Sequence, residues 1–183
     1  MHVDRASGLL SGARQCPSPN ADARPDGAGI ELIVVHGISL PPGAFGGPWI
    51  DHLFSNTLDP AAHPYFAAIA GLRVSAHLLI RRDGAPVQYV PFHRRAWHAG
   101  VSNWRGRERC NDFSVGIELE GSDDTPYADA QYGALAAAIG ALRAAYTIPA
   151  AHLAGHSDIA PGRKTDPGPA FDWPRLRTLL GDA

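Results

Sequence analysis

The chain has 183 residues, of which 45% are hydrophobic and 19% charged, and its formal net charge is −2. At roughly 100–200 residues per domain, that length specifies one domain, able to bury a core without disulfides. The balance excludes a disordered chain, and it excludes a protein that holds nucleic acid or an anionic membrane by bulk positive charge.

Residues 1–29 open a single domain spanning 1–183, and the Pro-, Gly-, Asp- and Ser-rich part from residue 11 reads as an irregular lead-in. Cys16 and Cys110 are the only cysteines. Two cysteines without patterned spacing are expected to be free thiols. The first residues lack the apolar core of about 7–15 residues that marks a secretory signal. No run approaches the ~20 apolar residues of a spanning helix. The expectation is a cytoplasmic protein with no membrane partner.

Residues 31–36 (ELIVVH) form a β-branched run between glycines and predict a buried strand. Residues 39–48 hold three prolines and three glycines and predict a loop. Short helices are expected at 49–56 and 64–70. Strands are expected at 73–80 and 87–92, joined by a hairpin at Arg81-Arg82-Asp83-Gly84, because Asp-Gly tolerates positive φ. Residues 93–112 show no apolar periodicity and read as a long loop. The segment SVGIELE (114–120) alternates: Val115, Ile117 and Leu119 share one face, and Glu118 and Glu120 the other.

Thr125-Pro126 reads as an N-cap and first helical residue. The helix runs to Tyr146, with Leu135, Ile139, Leu142 and Tyr146 on one face. A strand at 152–156 and a terminal helix at 173–180, closed by Gly181, complete the chain. Strands unevenly interleaved with helices predict an α/β or α+β domain, a mixed sheet with helices packed on it.

Chemistry-bearing residues gather near the predicted strand ends. His36 and His156 each end a strand beside a glycine, and Asp166 lies ten residues beyond His156. Two imidazoles and a carboxylate suit Zn²⁺ and leave a fourth position for water. On spacing alone, strand-end histidines hydrogen-bonded to backbone are the simpler reading. Glu118 could pass a proton from such a water to a leaving amine, or face solvent like Glu120. Lys164 is the single lysine beside fifteen arginines. Its ammonium would stabilise a developing oxyanion, or lie on the surface. His77 reads as a structural histidine within a strand, whereas His98, next to Trp97, stands where it could touch a ligand. Trp97, Trp104, Arg107 and Arg109 suit an amphipathic, carboxylate-bearing ligand, since arginine grips carboxylates bidentately. They equally suit a packed loop with its charges in solvent.

Five segments carry a resemblance: VVHGISLPPGAFGGPWI, HPYFAAIAGLRVSAHLLIRRDG, QYVPF, RAWHAGVSNWRGRERCNDFSVGIELEG and GHSDIAPGRKTDPGPAFDW. Together they resemble the AmpD family, the cytoplasmic 1,6-anhydro-N-acetylmuramyl-L-alanine amidases of bacterial cell-wall recycling, over nearly the whole chain. The resemblance implies the zinc amidase fold shared with phage T7 lysozyme and peptidoglycan-recognition proteins, a central mixed sheet flanked by helices. It places the zinc ligands on His36, His156 and Asp166, the catalytic glutamate on Glu118 and the catalytic lysine on Lys164. It also matches Arg73, Trp97 and Arg109 to muramyl-peptide contacts. The implied substrate is an anhydromuropeptide, with no obligate protein partner. The implied reaction is hydrolysis of the lactyl–L-alanine amide. A catalytically inactive muropeptide-binding module of the same fold is the alternative, and the presence of all three ligands with Glu118 speaks against it. One position departs from the family: Gly37 stands where an asparagine usually follows the first ligand, which bears on affinity and substrate preference.

Overall fold

The computed structural model describes residues 1–182. The first segment holds β1 (Val3–Asp4), β2 (Leu9–Leu10), β3 (Arg14–Gln15) and β4 (Ala21–Ala23). The expected irregular lead-in is therefore corrected. Its strands are too short to show periodicity, and distant edges order them: Cys16 N–H donates to the Gln88 carbonyl and Ser18 N–H to the Tyr89 carbonyl, each at 2.9 Å.

The chain continues through β5 (Leu32–Ile38), α1 (Trp49–Phe54), α2 (Pro64–Ile69), β6 (Leu78–Ile80) and β7 (Pro86–Gln88). The β6–β7 connection is the expected hairpin, with Gly84 at φ 85° and Arg81 N–H bonded to the Ala85 carbonyl at 3.0 Å. The stretch expected as a plain loop contains β8 (Arg94–Ala96), β9 (Asn103–Trp104) and β10 (Arg107–Glu108). There, too, pairing supplies the order: β8 pairs with β4, and β9 with β10. After them come β11 (Ser114–Glu120), α3 (Asp129–Tyr146), β12 (Leu153–Gly155), α4 (His156–Ile159) and α5 (Trp173–Leu180).

Six strands build the central sheet in the order β12-β5-β11-β6-β7-β3. The first four run parallel, β7 is antiparallel to β6, and β3 is parallel to β7. The sheet is therefore mixed, with helices on its faces.

Alternation sorts the residues of β5 and β11 between two cores. Ile33, Val35, Val115, Ile117 and Leu119 pack with Leu135, Ile139 and Leu142 of α3 and Leu176 of α5. On the opposite face Leu32 and Val34 meet Ala99, Cys110, Phe113, Ala154 and Ile159. That second face also carries His36, Glu118 and Glu120, so the polar half of the alternation lies under loops and not in water. A third cluster packs α1 and α2 through Ile50, Phe54 and Phe66 against Leu79, Val87 and Tyr89.

Helix α3 begins three residues after the position expected from Thr125-Pro126. The Thr125 hydroxyl is engaged by Ser122 at 2.9 Å, and the fully buried Gln131 caps the helix instead. Its Oε1 accepts from Ala128 N–H at 3.0 Å. Its Nε2 donates to the Ile80 and Glu120 carbonyls, tying the ends of β6 and β11 to the start of α3. Helix α5 begins and ends as expected, with Asp172 as N-cap and Gly181 at φ 70° as C-cap. Cys16 and Cys110 are unbridged. No helix among the described residues is long and apolar enough to cross a membrane.

Candidate active site

The parallel strands deliver the site by register. Glu118 of β11 lies directly beside His36 of β5, and β12 pairs Gly155 with Val35, so His156 emerges next to His36. These positions lie at the carboxyl ends of the strands, where open parallel sheets place their ligands. Two details differ from the expected strand ends: β5 continues two residues past His36, and His156 opens α4. The loop after α4 returns Asp166 to both histidines.

His36 Nδ1 and His156 Nδ1 are 3.0 Å apart. Asp166 Oδ2 is 3.3 Å from His36 Nδ1 and 3.0 Å from His156 Nδ1. His156 Nε2 lies 3.2 Å from the Ala99 carbonyl. A carbonyl only accepts, so His156 carries its proton on Nε2 and turns a lone pair inward from Nδ1. The outer nitrogen of His36 is held by His98 Nδ1 at 2.9 Å. The inward lone pair of His156 thus faces a carboxylate at hydrogen-bond distance, an arrangement that calls for a cation. Ligands of a tetrahedral zinc at about 2.0–2.1 Å would stand about 3.3 Å apart, close to the spacing found here. His36, His156 and Asp166 form a candidate metal site.

The electrostatics suit that role. Burial lowers His36 to a pKa of about 4, which keeps its nitrogen free of a proton at neutral pH. Burial acts to raise Asp166, but the close approach of the His156 and His36 rings prevails and holds the carboxyl well below the usual range. Burial lowers His77 and His98 well below the ordinary histidine value. Glu118 is shifted the other way: burial first, then the Asp166 charge, raises it well above an ordinary glutamate. Its Oε2 is buried without a hydrogen-bond partner. An unpaired buried carboxylate oxygen is costly, so a satisfied structural role does not account for it.

A cleft of about 720 Å³ opens over these groups and is lined by His36, Glu118, His156, Asp166, Lys164 and Trp97, among others. Lys164 is exposed on its wall. Arg73 is not part of the lining; its guanidinium is turned to the Ala70 and Leu72 carbonyls. Arg109 lies in a neighbouring hollow with Gly100 and Val101, and it pairs with Asp112 at 3.2 Å. Arg163 lines both depressions and ties down the Ala99 and Val101 carbonyls, at 2.6 and 2.7 Å.

Sequence reading missed several residues. Arg163 carried no signal of its own. Arg24, inside the supposed lead-in, donates to the carbonyls of Phe92, Asn111, Asp112 and Ser114, fastening the loop beneath the site. Tyr127 donates from its hydroxyl to the Pro167 carbonyl at 2.9 Å, next to Asp166. The same hydroxyl fills the space that a Cβ on Gly37 would need. A usable signal was the glycine at 37, since glycine inside a strand often marks the close approach of another group.

Comparisons with known proteins identify the family. A family profile described as N-acetylmuramoyl-L-alanine amidase matches residues 26–169. The chain is 66% identical over 173 residues to the 1,6-anhydro-N-acetylmuramyl-L-alanine amidase AmpD of Escherichia coli K12, covering 94% of each chain. The crystal structure of a selenomethionine AmpD derivative superposes with a TM-score of 0.95 at 64% identity, covering 98% of this chain and 99% of that one. The E. coli amidase AmiD, in complex with the substrate anhydro-N-acetylmuramic acid-L-Ala-D-γ-Glu-L-Lys, superposes with a TM-score of 0.60 at 32% identity. That match covers 85% of this chain and 60% of AmiD.

Proposed function

The chain belongs to the N-acetylmuramoyl-L-alanine amidase family, and on that premise we propose that it hydrolyses the amide joining 1,6-anhydro-N-acetylmuramic acid to L-alanine in soluble muropeptides. The work is done in the cytoplasm, as part of peptidoglycan recycling, by one amidase domain spanning 1–183. The observation that carries the reading is the unpaired, buried Glu118 Oε2 in the cleft that also holds the His36–His156–Asp166 trio.

Those three residues would hold zinc, which when bound acidifies water and polarises a carbonyl. Glu118 accepts a proton from the attacking water and returns it to the departing alanine nitrogen. Its raised pKa suits that exchange, because a carboxylate that is more basic than usual accepts the proton of the attacking water more readily. Lys164 sets an ammonium on the cleft wall, where negative charge develops on the attacked carbonyl oxygen. Trp97 offers an apolar face to the sugar or stem. Arg73 and Arg109 take stem carboxylates once they leave their present partners. Gly37 leaves the side of the first ligand without an amide, and sugar or stem recognition there falls to its neighbours. A binding module without turnover has less support, since it needs neither an unpaired Glu118 nor a lysine in the same cleft.

The test is an assay on 1,6-anhydro-N-acetylmuramyl-tripeptide with zinc, after chelation and after zinc is restored. Mass spectrometry is expected to find free tripeptide that disappears and returns with the metal. A folded, zinc-loaded protein that binds the muropeptide without releasing peptide would overturn the reading in favour of the binding module.

A further inference from the structure

His36 differs from His156 in what holds its outer nitrogen. His156 leans on a backbone carbonyl, a fixed acceptor. His36 leans on another histidine, which can donate or accept. Its inward nitrogen is therefore available to a metal only if something fixes the direction of that bond.

A chain of hydrogen bonds supplies the direction. The Ser114 hydroxyl lies 2.6 Å from the Cys110 carbonyl and must donate to it, since two acceptor oxygens that close would otherwise repel. Its proton spent, the Ser114 oxygen accepts from His98 Nε2–H at 3.1 Å. With its proton on Nε2, the His98 imidazole presents a lone pair on Nδ1. That lone pair receives Nε2–H of His36, which leaves Nδ1 of His36 bare toward His156 and Asp166. We propose that Ser114 and His98 are positioning residues that fix the His36 tautomer, with the Cys110 carbonyl as the terminus that sets the polarity of the relay.

An independent feature of the backbone fits the relay. Gly116 lies in the interior of β11, where glycine weakens a strand. A Cβ there would collide with the ring of His98. The central strand thus forgoes a side chain at the one position that lets His98 lie flat between Ser114 and His36. His77 secures the same spot from the other side, its Nδ1 accepting Gly116 N–H at 3.0 Å.

The inference rests on the metal reading of the trio, so its test separates the two. The tautomer of His36 is read by nitrogen-15 NMR on the metal-free protein, and zinc affinity by competition with a chromophoric chelator. The wild type is expected to carry its His36 proton on Nε2. His98→Leu is expected to mix the tautomers and lower zinc affinity about 10–100-fold, the usual cost of losing the outer partner of a ligating histidine. His98→Asn places an acceptor oxygen near the lost Nδ1 and should restore most of both properties, which a purely structural loss would not allow. Ser114→Ala, which removes one oxygen from the interior, should shift the tautomer in the same direction. A His36 proton on Nδ1 in the wild type, or Leu and Ala variants that keep both the tautomer and the affinity, would overturn the relay. Wild-type protein that binds no zinc would overturn the metal reading, and the tautomer measurement would still decide the relay.

Discussion

Glu118 and Glu120 are two residues apart, on one strand and one face, and both are buried, yet they have opposite surroundings. Glu120 is fully partnered. It accepts from Gly46 N–H at 2.6 Å, from Arg81 at 3.2 Å and from Arg82 N–H at 3.2 Å. Arg81 is shared with Asp51, which also holds Arg14 and the Tyr89 hydroxyl. This network fastens the 39–48 loop to the sheet. Glu118 has a bare oxygen and a raised pKa. A carboxylate whose bonds are complete stabilises a fold. One whose bonds are incomplete costs stability and remains available for chemistry.

Substitution by the neutral amide would break the pair apart. Glu118→Gln is expected to keep zinc, measured by metal analysis, while kcat falls by about 10²–10⁴, the range for losing a general acid–base. Turnover near the wild-type rate would remove Glu118 from the reaction. Lys164→Ala tests the wall of the cleft that holds Glu118; kcat should fall by about 10²–10³, as for one oxyanion donor, with zinc content unchanged.

Glu120→Gln should behave in the opposite sense. Urea denaturation is expected to show a loss of about 3 kcal/mol, the low end for breaking a buried pair because Arg81 retains Asp51. Turnover per folded molecule should suffer far less than in Glu118→Gln. Equal stability of the Glu120 variant and the wild type would refute the contrast.

The smallest effect concerns pH. Glu118 has its folded pKa raised, so the contribution of its protonated form is fully present below the unfolded value and is lost as pH rises through the folded one. In metal-free protein, Glu118→Gln should therefore melt higher than wild type at pH 8. The gain should vanish at pH 4 or below, where the carboxyl is protonated in both states. A difference independent of pH would show that Glu118 does not carry a raised pKa.

The contrast also shows where sequence reading stops. Alternation in SVGIELE correctly placed both glutamates on one face, because the side-chain period of a strand is two. It could not tell a face covered by loops from a face in water, and the solvated reading of Glu120 is wrong for that reason. The same limit explains the lead-in and the 93–112 loop. Strands of two or three residues carry no period, and only their partners, up to 75 residues away, make them strands. The helix start at Thr125 failed on competition, since Ser122 takes the threonine hydroxyl and Gln131 supplies the cap.

By itself the sequence determined the long elements, the Asp-Gly hairpin, the terminal helix with its caps and the residue types of the site, all of which depend on local pattern. The parallel register of β12, β5 and β11 brought His156, His36 and Glu118 side by side, and a loop from beyond α4 added Asp166. Which glutamate stayed unpaired and which nitrogen of His36 turned inward were decided by groups as distant in sequence as Ser114, His98 and Arg81. Protonation and pairing depend on surroundings, and only the folded chain supplies them.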